Sequence, residues 1–254
     1  MKPTPFRHTT RPALNKSEIA FGTQSVLESL RAGKEIDKII VQRELGMAEI
    51  EKLANEREIP VQRVPLEKLN QISRKNHQGV IAFISAINYV QLSNIVADVF
   101  EKGDTPLLLI LDRITDVRNF GAIARTAECM GVHALVVPVR GGAQINSDAL
   151  KTSSGALNYM PVCREQNLIT TIRTLQDSGI QVVACTEKAI DSVFSADYKV
   201  PTAIIVGSEE DGVSPDLLRR VDAVVKISML GNVASLNVSV ATGMILSEVQ
   251  RQRL

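Results

Sequence analysis

Five consecutive apolar residues, Leu107–Leu111, constrain this chain more than any other stretch. A strand with one wet face alternates apolar and polar side chains. An unbroken run instead suits a strand buried on both faces, as in a parallel sheet with helices on each side. Apolar stretches recur at 134–137, 181–184, 203–206 and 223–227. Helical patterns lie between them at 122–130 and 168–177, stopped by Gly131 and Gly179. A short helix is expected at 146–151, and 193–199 reads as irregular. This β-α-β-α order predicts an α/β domain with a mostly parallel sheet.

A second, smaller unit precedes it. Residues 1–16 hold three prolines and no periodicity, and they carry Lys2, Arg7, Arg11 and Lys16 with no acid, so a basic arm is expected. A compact alternation follows: helix 22–30, strand 38–41, helix 47–55, strand 61–64, helix 66–72 and strand 80–84. That pattern predicts a small α/β sandwich over 17–85. A polar joint at 85–93, a helix at 92–100 and a break at 103–106 make 86–104 a linker, leaving 105–254 as the second domain.

Composition removes several classes. No apolar run approaches the ~20 residues needed to cross a bilayer. The N-terminal stretch lacks the apolar core of a secretory signal. Cys129, Cys163 and Cys185 are widely spaced, without a CxxC pair, and read as free thiols in a reducing, cytoplasmic setting. His8, His77 and His133 have no partner at helical spacing, so no metal is expected. The net charge of +1 conceals an asymmetry. Residues 1–85 carry fourteen Lys and Arg against ten Asp and Glu, whereas 86–254 carry fifteen against eighteen. A basic N-terminal part suits a polyanionic partner or simple solvation.

Familiar ligand loops fit poorly. The run 119–125, Asn-Phe-Gly-Ala-Ile-Ala-Arg, has one glycine where a dinucleotide fingerprint needs three. Gly207 and Gly212 have the glycine spacing of a phosphate loop, but Val213 and Ser214 follow in place of Lys and Ser/Thr. Glu209, Glu210 and Asp211 would also repel a phosphate. No GxSxG elbow is present. One constellation remains: Asn119 and Arg125 after the first buried strand, Glu209 after a later one, Ser235 and Asn237 after the last. In a parallel sheet these converge at the carboxyl edge, where ligands bind. They could grip a sugar-phosphate, or form an Arg125–Glu209 ion pair and a helix cap; the residues alone leave both open.

At these residues the sequence resembles the SpoU/TrmH-type RNA 2′-O-ribose methyltransferases. Three stretches carry the likeness: 116–127 (DVRNFGAIARTA), 205–213 (IVGSEEDGV) and 227–241 (ISMLGNVASLNVSVA). Phe21-Gly22 and His77-Gln78-Gly79-Val80 resemble the subgroup with a ribosomal-protein-like (L30e-type) RNA-binding domain. The nearest subgroup acts on a guanosine in the peptidyl-transferase-centre P loop of large-subunit rRNA. Val117 and Ser228 depart from the family's usual prolines.

The resemblance implies a deep trefoil knot in the second domain and a homodimer built on the last helix and the 116–127 helix. Val238, Ala241, Ile245 and Val249 form an apolar stripe compatible with that dimer or with intramolecular core. It also implies S-adenosylmethionine as cofactor, with Gly207, Ile227, Met229, Gly231 and Leu236 lining its site. Arg125 becomes the expected catalytic residue, oriented by Asn119 and Glu209, with Ser235 and Asn237 fixing the last loop. A guanidinium stays protonated, so Arg125 is expected to clamp the target phosphate and stabilise the developing 2′-oxyanion rather than act as base. RNA contacts are expected from Arg7, Arg11, Lys16, Arg74 and Lys75. The rivals are a tRNA ribose 2′-O-methyltransferase and a non-catalytic RNA-binding or ribosome-assembly factor.

Overall fold

The structure, a computed structural model, describes residues 19–233 and 235–254. Arg7, Arg11 and Lys16, and with them the expected basic arm, lie outside the described residues. Among the described residues no helix is long and apolar enough to cross a membrane.

The N-terminal part is a four-stranded sheet in the order β1-β4-β2-β3. Its strands are β1 (Ile19–Phe21), β2 (Ile36–Gln42), β3 (Val61–Val64) and β4 (Val80–Ile84). Helices α1 (Thr23–Arg31) and α2 (Ala48–Glu56) cover one face through Val26, Leu30, Ile50 and Ala54. Helix α3 (Leu66–Ile72) covers part of the other through Leu69, against Ile40 and Ile81. β2 and β3 run parallel, whereas β4 runs antiparallel to both of its neighbours. The three residues of β1 fall at the head of the α1 pattern, too short a stretch to show a strand period.

The second sheet has seven strands, all parallel, in the order β7-β6-β5-β10-β8-β11-β9. These are β5 (Leu107–Leu111), β6 (Ala134–Pro138), β7 (Val162–Glu165), β8 (Gln181–Cys185), β9 (Asp191–Ser192), β10 (Thr202–Val206) and β11 (Ala223–Lys226). The apolar run of β5 divides by period two. Leu107, Leu109 and Leu111 enter one core with α5 (Val117–Cys129), α6 (Ser147–Thr152) and α9 (Val238–Arg253). Leu108 and Ile110 enter the other with α4 (Leu92–Glu101), α7 (Leu168–Asp177) and α8 (Pro215–Leu218). All five side chains are buried, as a doubly covered strand requires.

Several boundaries differ from the sequence expectation. Helix α5 starts at Val117 rather than 122, because Asp116 caps it: its Oδ1 accepts from the backbone N–H of Arg118 (2.7 Å) and Asn119 (2.9 Å). Asn119 therefore sits within the first helical turn. Helix α4 packs Leu92, Ile95 and Val96 into the second sheet's core, so it is part of that unit's fold rather than a free linker. The irregular stretch at 193–199 holds a 3-10 turn, Val193–Ser195, directly after β9. β7 was not expected. Two of its four residues, Arg164 and Glu165, are charged; Val90 bridges to Cys163, and Arg164 reaches the N-terminal unit at the Ile36 carbonyl.

The stripe Val238, Ile245 and Val249 on α9 is buried within the chain, packed with α5. It is intramolecular core. The outward face of α9 instead shows Val240, Met244 and Ser247. β11 lies near one end of the sheet, while α9 packs on α5 beside β5. The C-terminal segment thus crosses back over β8 and β10, the return through which the expected knot would be made. Arg253 fastens its end: the guanidinium donates to the carbonyls of Tyr198 (2.7 Å), Thr105 (2.9 Å), Val200 (2.9 Å) and Pro106 (3.1 Å).

The two units meet at a polar joint. Tyr89 Oη donates to Asp37 Oδ1 at 2.7 Å, and the Arg164 guanidinium stacks on the Tyr89 ring at 4.3 Å. Arg164 also donates to the Ile36 carbonyl at 3.0 Å. Burial pushes the Asp37 carboxyl above its ordinary range, opposed by Tyr89 and then Arg164.

Replacing Arg253 leaves several carbonyls without their charged donor. Arg253→Ala is expected to lower unfolding free energy by about 2 kcal/mol in urea titration; an unchanged midpoint would mean that the clamp contributes nothing.

Candidate functional site

Because the seven strands of the second sheet run parallel, the loops after β5, β8, β10 and β11 open along one edge. A cleft of about 240 Å³ lies there. Its walls come from Gly207 to Glu210 after β10, and from Ile227, Met229, Ser235 and Leu236 after β11. A third wall, Cys185, Thr186 and Glu187 after β8, was not anticipated. Only its place at the end of an apolar stretch could have signalled it. Of the expected cofactor residues, Gly207, Ile227, Met229 and Leu236 line the cleft; Gly231 is exposed and lies outside the lining. Burial of the Cys185 thiol pushes its pKa up to about 11. It therefore stays protonated near neutrality, and all three cysteines are free.

The acidic turn after β10 is held by cations from two neighbouring loops. Arg113, in the left-handed backbone region at φ 59°, donates to Asp211 Oδ2 and to the Gly212 carbonyl, both at 2.9 Å. Lys188 Nζ donates to the Asp211 carbonyl at 2.9 Å. Asp112, almost fully buried, accepts from the Ser214 N–H at 2.7 Å. Within the turn the Gly212 N–H reaches the Ser208 carbonyl at 2.9 Å. A side chain on Gly207 would overlap the Gly212 carbonyl carbon. Glycine is required there because one part of the backbone lies directly on another.

Glu209 points away from this staple. Its Oε1 accepts from Asn119 Nδ2 and from Asn237 Nδ2, each at 2.7 Å. Asn237 Nδ2 also reaches Asn119 Oδ1 at 3.0 Å. The other face of Asn237 caps α9, since its Oδ1 accepts from the Ser239 N–H at 3.0 Å and from Ser239 Oγ at 2.5 Å. The cap foreseen at this position and the polar constellation are thus one device. Ser235 borders the cleft and is exposed.

Arg125 does not join Glu209. Six residues beyond Asn119 on α5, it lies about 9 Å further along the axis and roughly 120° around it. It is exposed, and among the described residues it makes no ion pair or hydrogen bond. Glu209 and Asn119 satisfy each other and leave the guanidinium free. Arg74 and Lys75 are also exposed, and Lys75 Nζ lies 5.1 Å from the centroid of the Phe21 ring.

The cleft suits S-adenosylmethionine. Part of its wall is glycine backbone and the apolar side chains of Ile227, Met229 and Leu236, which can hold an adenine without charge. Glu187, Glu209 and Glu210 place negative charge near a positive sulfonium, and the cofactor brings no phosphate for them to repel.

Comparison with known proteins agrees. The profile of the SpoU rRNA Methylase family matches residues 106–247, and that of RNA 2′-O ribose methyltransferase substrate binding matches 19–90. A putative TrmH family tRNA/rRNA methyltransferase of Bacillus subtilis is 34% identical, over 93% of this chain and 96% of its own length. A 23S rRNA (guanosine-2′-O-)-methyltransferase of Vibrio parahaemolyticus is 41% identical, over 70% of this chain and 72% of its own. Among solved structures, the AdoMet-bound rRNA methyltransferase of Sinorhizobium meliloti superposes with a TM-score of 0.58 at 25% identity, covering 94% of this chain and 88% of that one.

If the Gly207–Gly212 contact shapes the cleft, Gly207→Ala should weaken S-adenosylmethionine binding at least about tenfold, near 1.4 kcal/mol, by calorimetry. Its far-UV circular dichroism should stay unchanged; wild-type affinity in the folded variant would contradict this.

Proposed function

We propose that this chain, which belongs to the SpoU rRNA methylase family and is an S-adenosylmethionine-dependent RNA 2′-O-methyltransferase, acts on large-subunit rRNA at a guanosine of the peptidyl-transferase-centre P loop. The observation that carries the finer reading is the 41% identity to a relative named as a 23S rRNA guanosine methyltransferase. A substrate-binding unit joined to the knotted-type domain supports it. A tRNA ribose is the second reading, because the Bacillus relative's name covers both RNAs. A non-catalytic assembly factor fits less well. The Asn119–Glu209–Asn237 network is intact, and a binding module has no chemical need of it.

S-adenosylmethionine supplies a methyl group made electrophilic by its sulfonium. A ribose hydroxyl is a weak nucleophile, so the protein's task is to place it in line and stabilise the charge it develops. In this reading the unpaired Arg125 guanidinium takes a phosphate oxygen beside the target ribose and faces the 2′-oxygen as its proton leaves to phosphate or water. No base is required of a guanidinium, which offers donors and no acceptor. The Glu209 carboxylate, fixed by two amides, holds the loops after β10 and β11 at one spacing, and Ser235 borders the ribose position. Arg74 and Lys75 contribute phosphate contacts from the N-terminal unit.

The dimer reading shifts to new residues. With Ile245 and Val249 used inside the chain, the candidate surface is Val240 and Met244 on α9 with Leu230 and Val233 of the preceding loop, all exposed apolar side chains.

Arg125→Ala is expected to lower methyl transfer to large-subunit rRNA by about 10²–10³-fold with cofactor affinity retained. Arg125→Lys should also be poor, because an ammonium cannot reproduce the planar fork. Mapping 2′-O-methyl groups after incubation with rRNA and with tRNA separates the two substrates; near-normal turnover by Arg125→Ala would remove it from the chemistry.

A further inference from the structure

A second cleft, of about 530 Å³, lies between the two units. One side is formed by β2 and the start of β3, the other by β6 and the loop after it, with Tyr89 and Arg164 of the polar joint at its floor. It is larger than the cofactor cleft, and it opens at the carboxyl end of β6. That is the same edge of the parallel sheet that carries Glu209 and Asn237.

Its chemistry is one-sided. Lys38, Arg140 and Arg164 bring three cations, and the lining holds one acid, Asp37. Asp37 is already engaged by Tyr89, and Arg164 lies 3.9 Å from it. Arg140 is exposed in the Arg140-Gly141-Gly142 turn and, among the described residues, has no ion pair or hydrogen bond. Gln144 is one of the lining residues, and its Nε2 is buried and, among the described residues, has no hydrogen-bond partner. A buried amide donor left unpaired costs free energy that a ligand acceptor would recover. Burial lowers the pKa of Lys38, with Asp37 opposing and Lys68 adding to the lowering, so an incoming anion would stabilise its charged form.

The cleft also continues onto a surface. Lys38 Nζ lies 4.9 Å from the centroid of the Phe83 ring. Phe83 and Phe21 sit on the face of the N-terminal sheet that α3 covers only in part, since Phe21 pairs with Ile81 and Phe83 is two residues further along β4. The Lys75–Phe21 pair lies on this same face. Cations over aromatic rings beside a polar cleft form the platform on which single-stranded nucleic acid stacks its bases and neutralises its phosphates.

We propose that the inter-unit cleft binds a nucleotide of the RNA strand next to the methylated one, with Lys38 and Arg140 on phosphate and Gln144 donating to a base acceptor, while the strand continues over Phe83 and Phe21. This rests on the RNA methyltransferase reading above and assigns a second contact point to that substrate. Target and neighbour then bind at one sheet edge, and the site measures a strand rather than a lone ribose.

The test uses the full chain. Binding of a fluorescein-labelled, mixed-sequence single-stranded RNA is measured against salt for wild type, Arg140→Gln, Gln144→Leu and the double variant Lys38→Gln/Arg140→Gln. The double variant is expected to bind about tenfold more weakly near 0.1 M salt, with a log–log salt slope shallower by about 1.4, at roughly 0.7 per phosphate contact. Gln144→Leu is expected to lose affinity with no change of slope, and S-adenosylmethionine affinity is expected to hold in all of them. Affinity and slope like wild type in Arg140→Gln and in the folded double variant overturn the proposal. Saturable binding of free GMP or CMP, lost in the double variant while RNA binding is kept, also overturns it and assigns the cleft to free nucleotides. Methyl transfer to rRNA by wild type is scored separately. Its absence strikes the enzyme reading, whereas its presence with indifferent variants strikes only this cleft.

Discussion

One carboxylate oxygen organises the carboxyl edge of the larger sheet. Glu209 Oε1 receives two side-chain amides, one from the first turn of α5 and one from the residue that caps α9. Three segments, the outer two 118 residues apart in the chain, meet on that atom. Neither amide carries charge, so the arrangement neutralises nothing and fixes positions instead. Its dependence on geometry is strict. Asn119 must lie in a helix begun by Asp116, and Asn237 must face the carboxylate and its own cap together. The acidic turn that carries Glu209 is stapled from behind by Arg113 and Lys188, which leaves the carboxylate free to face forward.

The legible part of this molecule was what periodicity and punctuation encode. The unbroken run of β5 announced a doubly covered parallel strand, and glycines marked the ends of α5 and α7. What the sequence concealed came from contacts between distant segments. Asp116 starts α5 five residues before the expected bound, and that puts Asn119 inside its first turn. The stripe on α9 could face a partner or the chain's own core. Only the position of α5 decides, because Gly243 sits 3.6 Å, measured from an ideal Cβ, from the Thr126 methyl carbon. An Arg125–Glu209 ion pair was one of the two readings their charges left open, but six residues of helix turn the guanidinium elsewhere. Thr186 and Glu187 went unnoticed because nothing in their side chains marks them apart from strand order.

The two units play unequal parts in polar chemistry. Acids of the N-terminal unit that face solvent are partly used locally, as in Arg63 with Glu51 and Arg31 with Glu49 on and beside α2. Among the described residues, Lys38 and Lys75, beside Phe83 and Phe21, form no such ion pair, although the charge of Asp37 acts on Lys38. Most of the charge excess of residues 1–85 comes from Lys2, Arg7, Arg11 and Lys16, outside the described residues; within 19–85 ten Lys and Arg meet nine Asp and Glu, so position rather than net charge is what this unit can offer a polyanion.

The joint between the units has a further consequence, for the sheet itself. Val90 forms a parallel bridge with Cys163, its N–H donating to the Val162 carbonyl at 3.0 Å. The connecting segment thereby occupies the outer side of β7, one margin of the seven-stranded sheet. At the other margin β9 is two residues long. A long parallel sheet with open margins is a template for adding foreign strands, and self-association of that kind is a standing hazard for such folds. Here one margin is closed by the same segment that carries Tyr89 and the other is cut short. The connection between the two units thus guards the larger one against aggregation as well as linking it to its neighbour.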